Sequence, residues 1–344
     1  MLVRLILRHR MSLRPKYLMR ALFLAQGSIW SSLFAHLEKR RNGQWLQNAT
    51  PPLDPIFIIG HWRTGTTYLH QLLNLDPHLT APTLYQCSYP ESFICSRSYA
   101  EPILSHFIKG RRPMDNVSVG LDEPHEDEYA LYRLTGFSPL SKLVFPKTKQ
   151  YFLLDDDDFL PPPEERALWE QSLVSFVAKI KAATGKRPVL KNPFHCLRIP
   201  ILLRLFPEAK FIEIHRDPLT VIPSTINMWN IIGRQNALNG NWCEPPIGEV
   251  ISVFERISHQ IRIDLDSVPK ERRSALVFEV FEKDPIGEIE RIYQNFGMDF
   301  CTAFRDNLNA FMCNNAGYKK NTYTLTENQR QEIQTRLGSY SNRS

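Results

Sequence analysis

No two cysteines in this chain stand at CxxC spacing. The six present, Cys87, Cys95, Cys196, Cys243, Cys301 and Cys313, are scattered through 344 residues. That excludes zinc-ribbon and dithiol motifs and points away from a disulfide framework, so a reducing, cytoplasmic compartment is expected. There are no internal repeats and no low-complexity tracts. Long apolar runs are missing as well. Residues 21–37 are free of Asp, Glu, Lys and Arg. They fall short of the ~20 apolar residues a membrane span needs, and they include Gln26, Gly27, Ser28, Ser31, Ser32 and His36. No small-residue cleavage pattern marks a signal peptide. Strong charge of one sign is also lacking. The formal net charge of +6 is mild and reads as spread along the chain. It suits an anionic ligand or a membrane surface and gives no reason to expect nucleic acid. The most telling absence is a lysine. Ile56-Phe57-Ile58-Ile59 runs into Gly60-His61-Trp62-Arg63-Thr64-Gly65-Thr66-Thr67, a GxxxxG spacing. A nucleoside triphosphatase continues that spacing with Lys-Ser/Thr. Here Thr66 and Thr67 follow instead.

What is present around that loop reads as a buried strand, a turn and a helix start. Tyr68, Leu69, Leu72, Leu73 and Leu75 stand at helix-compatible spacing. Free N–H groups and the helix dipole at such a junction favour an anion. Gly60 and Gly65 permit backbone angles and close approach that a side chain would block.

The 43% hydrophobic content is ample for the core of one large α/β domain. A linker at 43–55, closed by Pro51, Pro52 and Pro55, divides a helical extension (1–50) from a single domain (51–344). In the extension, Arg4, Arg8, Arg10, Arg14, Lys16 and Arg20 precede the uncharged run. Leu22, Phe23, Ile29, Trp30, Leu33, Phe34 and Leu37 read as one helical face. That face either packs on the domain or lies on a membrane as a peripheral anchor.

Further along, residues 164–183 form an amphipathic helix pattern, with Trp169, Leu173, Phe176, Val177 and Ile180 on one side. Strands are expected at 188–191, 210–216 and 276–278. Helices are expected at 197–205, around Val250–Ile261, at 286–296 and after Thr326, which stands three residues before Gln329. This βαβ rhythm argues for a P-loop-like, three-layer α/β/α fold with a central parallel sheet. The stretch 81–149, rich in proline and aromatics, lacks a strong period. The acidic residues 155–158 read as a solvated turn, with metal binding as the minor alternative.

Ligands of parallel sheets bind beyond the carboxyl ends of the strands. Three strand ends carry suggestive groups: Gly60–Thr67, Lys191-Asn192-Pro193-Phe194-His195, and His215-Arg216-Asp217-Pro218 with Ser224 eight residues after Arg216. In order and spacing they resemble the sulfotransferases that use 3'-phosphoadenosine-5'-phosphosulfate (PAPS). The likeness is closest to the broad group of protein-tyrosine sulfotransferases and their bacterial relatives. It rests on Arg63-Thr64-Gly65-Thr66-Thr67, on Lys191-Asn192-Pro193, on Phe206-Pro207-Glu208-Ala209-Lys210-Phe211, and on Arg216 with Ser224. It is weaker at Phe278-Glu279-Val280-Phe281, with Phe for the family's Tyr.

The resemblance implies a sulfotransferase that takes PAPS as co-substrate and needs no metal. It implies that His61, Trp62, Arg63, Thr64, Gly65, Thr66 and Thr67 cradle the 5'-phosphosulfate, and that Arg216 and Ser224 hold the 3'-phosphate. Arg63 and Lys191 would supply the catalytic charge. The acidic base of the tyrosine-specific branch maps near Thr83, which cannot serve. Asp122-Glu123-Pro124-His125-Glu126-Asp127-Glu128 offers replacements, in the order Glu126, His125, Glu123; His195 follows them. The same acidic run can instead cap a helix at 126–134. A small-molecule or lipid hydroxyl is the expected acceptor, with a sterol, phenol, sugar or peptide tyrosine all open on sequence alone. Late basic residues, Tyr318-Lys319-Lys320-Asn321, read as a surface loop or as a closure over the 3'-phosphate. Two other functions stay open on sequence alone. One is a P-loop kinase or triphosphatase, disfavoured by the missing lysine; the other is a non-catalytic nucleotide-binding protein at a membrane.

Overall fold

In the computed structural model, residues 18–108, 110–111, 118–144, 146, 151–153, 159–238, 242–315, 321 and 323–341 are described. Helix α1 (Leu18–Gln47) comes first, then β1 (Ile56–Ile59) and α2 (Thr66–Leu73). β2 (Leu79–Thr80), α3 (Leu84–Ser88) and α4 (Phe93–Phe107) follow, with the short antiparallel pair β3 (Gly110–Arg111) and β4 (Ser118–Val119). Next are α5 (Glu128–Thr135), α6 (Ser141–Val144), α7 (Pro163–Thr184), β5 (Arg187–Lys191), a 3-10 turn (Pro193–Leu197) and α8 (Ile199–Leu205). The chain continues through β6 (Lys210–His215), α9 (Pro218–Asn236), α10 (Ile247–Asp266), β7 (Arg273–Val277) and α11 (Phe278–Phe281). It ends in α12 (Pro285–Asn295), α13 (Thr302–Asn314) and α14 (Glu327–Ser341). The described residues fall into two compact units. One draws on Met1–Pro51, Pro82–Ala183 and Met228–Pro245, the other on Pro52–Ala81, Thr184–Asn227 and Pro246–Ser344.

The second unit is the α/β sheet the sequence led us to expect. Its strands run in the order β2-β5-β1-β6-β7, and every pairing is parallel. The period of two sorts the strand residues to opposite faces. Ile56, Ile58, Val189, Ile212 and Ile214 meet Leu69 and Leu72 of α2, with Ile289 of α12 and Phe304 of α13 in the same core. On the other face Phe57 stacks near Phe211 (5.5 Å), Phe206 (5.8 Å) and His195 (5.5 Å). There the 3-10 turn and α8 pack with α10, and α10 with α14. Both faces of β1 are therefore covered, which is why its four residues form an unbroken apolar run. Truncating any one of these core side chains to Ala costs about 2–5 kcal/mol. α14 begins with the expected capping box: the Thr326 hydroxyl accepts from Gln329 N at 3.3 Å, and Gln329 Oε1 accepts from Thr326 N at 3.0 Å.

The first unit is helical, with Tyr85, Phe93, Leu121, Ala130, Phe176 and Ile180 in its core. Glu38 and Lys179 pair inside it. Glu38 Oε2 also accepts from the N–H groups of Ile94 (3.0 Å) and Cys95 (2.9 Å) at the start of α4. Burial lowers the Lys179 pKa, against the pull of Glu38. This pairing, with the Arg133–Ser31 bond at 2.8 Å, fixes how α1 is rotated.

That rotation corrects the sequence reading. Of the expected apolar face of 21–37, Ile29, Trp30 and Leu33 are 72%, 55% and 48% exposed and Phe34 and Leu37 half-buried, while Ser31 and Glu38 are buried. α1 also continues through Gly43 to Gln47, into the expected linker. Two further boundaries shift. Arg198 breaks the 197–205 helix into the 3-10 turn and α8, and Phe278 opens α11 instead of ending β7. No helix among the described residues is long and apolar enough to cross a membrane. The acidic residues 155–158 lie outside the described residues.

Candidate active site

The loop after β1 is strained in the way phosphate cradles are. Gly60 and Gly65 have φ of 149° and 102°, and Arg63, a residue with a Cβ, is held at 71°. A left-handed non-glycine residue costs on the order of 1–3 kcal/mol and persists only where its surroundings fix it. Several bonds do so. Thr64 Oγ1 donates to the His61 carbonyl at 2.7 Å, and Thr64 N donates to the same oxygen at 3.3 Å. A Cβ on Gly60 would stand 2.9 Å from the Ile214 carbonyl, and one on Gly65 would stand 2.2 Å from the Phe278 ring. The rings of His61 and Trp62 are buried walls of this loop, against Phe254 (5.0 Å) and Phe194 (5.1 Å) respectively. His61 Nδ1 bonds the Trp62 carbonyl at 2.9 Å. Burial pushes its pKa down to about 4, partly offset by that bond, so the ring is neutral at ordinary pH. Helix α2 starts at Thr66 (buried) and Thr67 (half-buried), and no side chain caps its N-terminus. Its first-turn amides and two hydroxyls form a donor set suited to an anion.

The second strand end lies beside the first. Lys191 pairs with Ile58 in the sheet register and is only 3% exposed. That sets aside a solvated strand-end lysine. Asn192, buried, caps the 3-10 turn by accepting from Phe194 N at 3.0 Å. His195 is fully buried against Phe57, which withdraws it from solvent. The sequence reading missed Cys196. Its Sγ accepts from Gly60 N at 3.1 Å and donates to Gly60 O at 3.3 Å, tying the loop to the 3-10 turn. Burial pushes this thiol up to about 12.

The third strand end closes on the loop. Arg63 Nε donates to Ser224 Oγ at 2.9 Å, and Arg216 Nη1 donates to the Arg63 carbonyl at 3.0 Å. The Arg216 guanidinium stands 4.2 Å over the Phe278 ring, the same ring that fills the space beside Gly65. Glu279 accepts from Asp217 N at 3.2 Å at the start of α9. The weak Phe278-Glu279 motif thus supports the other two strand ends. A second missed residue is Tyr323. Its hydroxyl lies 3.4 Å from Ser224 Oγ, 3.5 Å from Asn227 Nδ2 and 3.4 Å from Asn321 Nδ2. Tyr323 thus joins Asn321, the one described residue of the late basic stretch, to Ser224. Tyr318, Lys319 and Lys320 lie outside the described residues.

The acidic run sits in the first unit. Pro124 bridges Thr83, His125 N donates to Pro82 O at 2.8 Å, and Leu84 N donates to Glu123 O at 2.9 Å. The run lies alongside Thr83. Thr83 itself caps α3. Glu123, His125 and Glu126 are half-buried; Asp127 and Glu128 are fully buried at the start of α5. The helix starts at Glu128, later than expected, and Asp127 makes no side-chain cap bond.

Among the described residues, Asp76, His78 and Cys301 come within 4.8 Å of one another as potential metal ligands. Asp76 already accepts from His78 N at 2.8 Å and from the Tyr293 hydroxyl at 2.5 Å. This group is at the start of β2, the end of the sheet opposite the three loops.

Comparison with known proteins agrees with this geometry. The sequence profile described as the Sulfotransferase family matches residues 55–302. Omega-hydroxy-beta-dihydromenaquinone-9 sulfotransferase Stf3, from Mycobacterium bovis and from Mycobacterium tuberculosis, is 34% identical over 285 residues. That alignment covers 83% of this chain and 73% of Stf3. The crystal structure of STF9 from Mycobacterium avium matches with a TM-score of 0.66 at 19% identity, over 95% of this chain and 86% of that one. STF1 from M. tuberculosis H37Rv gives 0.60 at 19%, over 93% and 85%. The two solved structures speak for the fold, and the profile and Stf3 for the family: the chain belongs to the sulfotransferases and is a sulfuryl-transferring enzyme.

Proposed function

We propose that the enzyme takes PAPS as its sulfuryl donor and transfers the group to the hydroxyl of a lipid-like or small-molecule acceptor, without a metal. The observation that carries this reading is the pair of bonds from Arg63 to Ser224 and from Arg216 to Arg63. They bring two cationic side chains and an uncapped helix start together. One nucleotide with phosphate groups at both ends of its ribose matches that donor set. The loop from Gly60 to Thr67 binds the 5' end, and Arg216, Ser224 and Tyr323 the 3' end. PAPS, when bound, supplies an activated sulfuryl group.

This chain's own residues then do three things. Arg63 and the α2 amides orient the anion and neutralise charge on the leaving phosphate. Lys191 adds a second cation; its burial makes its charge worth more than it would be in water. A base takes the acceptor proton as the acceptor oxygen bonds to sulfur and the bridging S–O bond breaks. We assign that role to Glu126, with His125 and then Glu123 next. The run pairs beside Thr83, near which the sequence resemblance puts the acid of the tyrosine-specific branch.

The acceptor class follows Stf3, an omega-hydroxy-beta-dihydromenaquinone-9 sulfotransferase that is 34% identical to this chain. A hydroxylated prenyl lipid therefore heads the candidates. In this reading the enzyme works in the cytoplasm, with peripheral membrane contact through its N-terminal helix. The test is transfer from labelled PAPS to a lipid extract in the presence of chelator, read as the mass gain of one sulfonate. A sulfonated lipid supports the reading. A requirement for divalent metal, or transfer from ATP instead, overturns it.

A further inference from the structure

We infer that α1 and the neighbouring edge of α4 form a docking surface for an anionic lipid bilayer. Charge is the first ground. Counted by segment, the positive charge is not spread along the chain. Residues 1–41 hold nine Lys and Arg against one Asp or Glu, and the remaining 303 residues hold 33 against 35. The one acid in that segment, Glu38, is buried and paired with Lys179. No other Asp or Glu occurs in this segment.

The second ground is the exposed apolar surface. Ile29, Trp30 and Leu33 of α1 face solvent, and so do Tyr99 (61%) and Ile103 (63%) of α4. The two helices pack together, with the Phe34 and Tyr99 rings 5.7 Å apart, so the five side chains belong to neighbouring helices of one unit. On α1, Ile29, Leu33, His36 and Arg40 recur at spacings of four, three and four, one line down the helix. Lys39, Arg40 and Arg41 are all exposed. A 30-residue helix, about 45 Å long, that turns Ile29, Trp30, Leu33 and Lys39, Arg40 and Arg41 outward and hides its one acid suits the boundary of headgroup and acyl chain.

The occupant follows from combining the two. Nucleic acid matches the basic residues but gives Ile29, Leu33 and Ile103 nothing to enter. An apolar protein partner leaves the basic excess unanswered. An anionic bilayer answers both, at roughly 1 kcal/mol per basic residue near the surface. The buried Glu38–Lys179 pair has a part in this: it turns Ser31 and Glu38 inward and so sets which face is left outward.

The test is sedimentation of the full chain with phosphatidylcholine vesicles, with and without phosphatidylglycerol, in the absence of nucleotide and acceptor. Its failure leaves the nucleotide-site reading untouched. The proposal expects binding to the anionic vesicles that falls steeply with salt. It expects a loss of about thirtyfold or more for Arg40→Glu with Arg41→Glu, and of about tenfold or more for Ile29→Ser, Trp30→Ser and Leu33→Ser combined. These residues are exposed, so the thermal midpoint of both variants should match the parent. Equal binding to neutral and anionic vesicles overturns the proposal. So does undiminished binding by both variants. It is also overturned if the triple variant only converts a self-associated protein to monomer, which would assign the face to a second copy of this chain.

Discussion

Arg63 donates from Nε to Ser224 Oγ at 2.9 Å, joining two stretches 161 residues apart. The bond links the loop after β1 to helix α9. The two residues are assigned to opposite ends of one nucleotide, and their contact couples the two half-sites. Arg63→Ala is expected to lower kcat/KM by about 10²–10³-fold, the scale of losing one charged stabiliser of the leaving group. Ser224→Ala is expected to weaken adenosine 3',5'-bisphosphate about tenfold, the scale of one hydrogen bond to a charged group. Steady-state kinetics and calorimetry read the two effects separately.

Gly65 and Phe278 are matched. Gly65→Ala places a methyl group 2.2 Å from the Phe278 ring at a φ of 102°. A loss of several kcal/mol in stability, on the scale of an overpacked site plus a strained backbone, is expected. Adding Phe278→Ala removes the clash but not the backbone strain. Thermal melts should therefore show the double variant losing less than the sum of the Gly65→Ala and Phe278→Ala losses, since the clash is counted only once.

Cys196 holds Gly60 through a thiol that stays protonated, since burial pushes it up to about 12. In the native protein a thiol reagent should label the exposed Cys243 and Cys313 and spare Cys196 and Cys87, both buried. Cys196→Ala leaves the Gly60 N–H without its partner, at a cost of about 1–3 kcal/mol. Mass-mapped labelling and urea titration check the two statements.

His61 makes stability fall in acid. Its folded pKa is about 4, below the usual 6.5. Between those values the unfolded chain binds a proton that the native protein refuses. The His61 contribution is therefore intact above pH 6.5, is lost as pH falls towards 4, and levels off below that. The loss reaches about 3 kcal/mol at the low end. Urea melts across this window should show the slope in the parent and its absence in His61→Asn.

Much of the sheet, and the meeting of the loop after β1 with Arg216 and Ser224 that makes the candidate nucleotide site, was legible because each depends on local pattern. An apolar run such as Ile56–Ile59 can only be covered on both faces, and a GxxxxG turn with Arg63 has few uses. The roles of Cys196 and Tyr323 were not legible. A single thiol or a tail tyrosine carries no spacing signal, and both act through contacts with residues far away in sequence, Gly60 and Ser224. The rotation of α1 escaped for a related reason. Helical spacing gives the apolar side of residues 21–37, but the inward side is set by the tertiary pair Glu38–Lys179. The acidic run was found by composition. Its place beside Thr83 came only from backbone pairing through Pro124 and His125.

The most direct test is calorimetric titration of adenosine 3',5'-bisphosphate, with ATP as comparison and chelator present throughout. The account predicts tight, metal-independent bisphosphate binding that is at least tenfold stronger than ATP binding. It also predicts that Arg216→Ala loses that preference. Equal affinity for the two nucleotides, or a bisphosphate affinity that Arg216→Ala leaves unchanged, would contradict it.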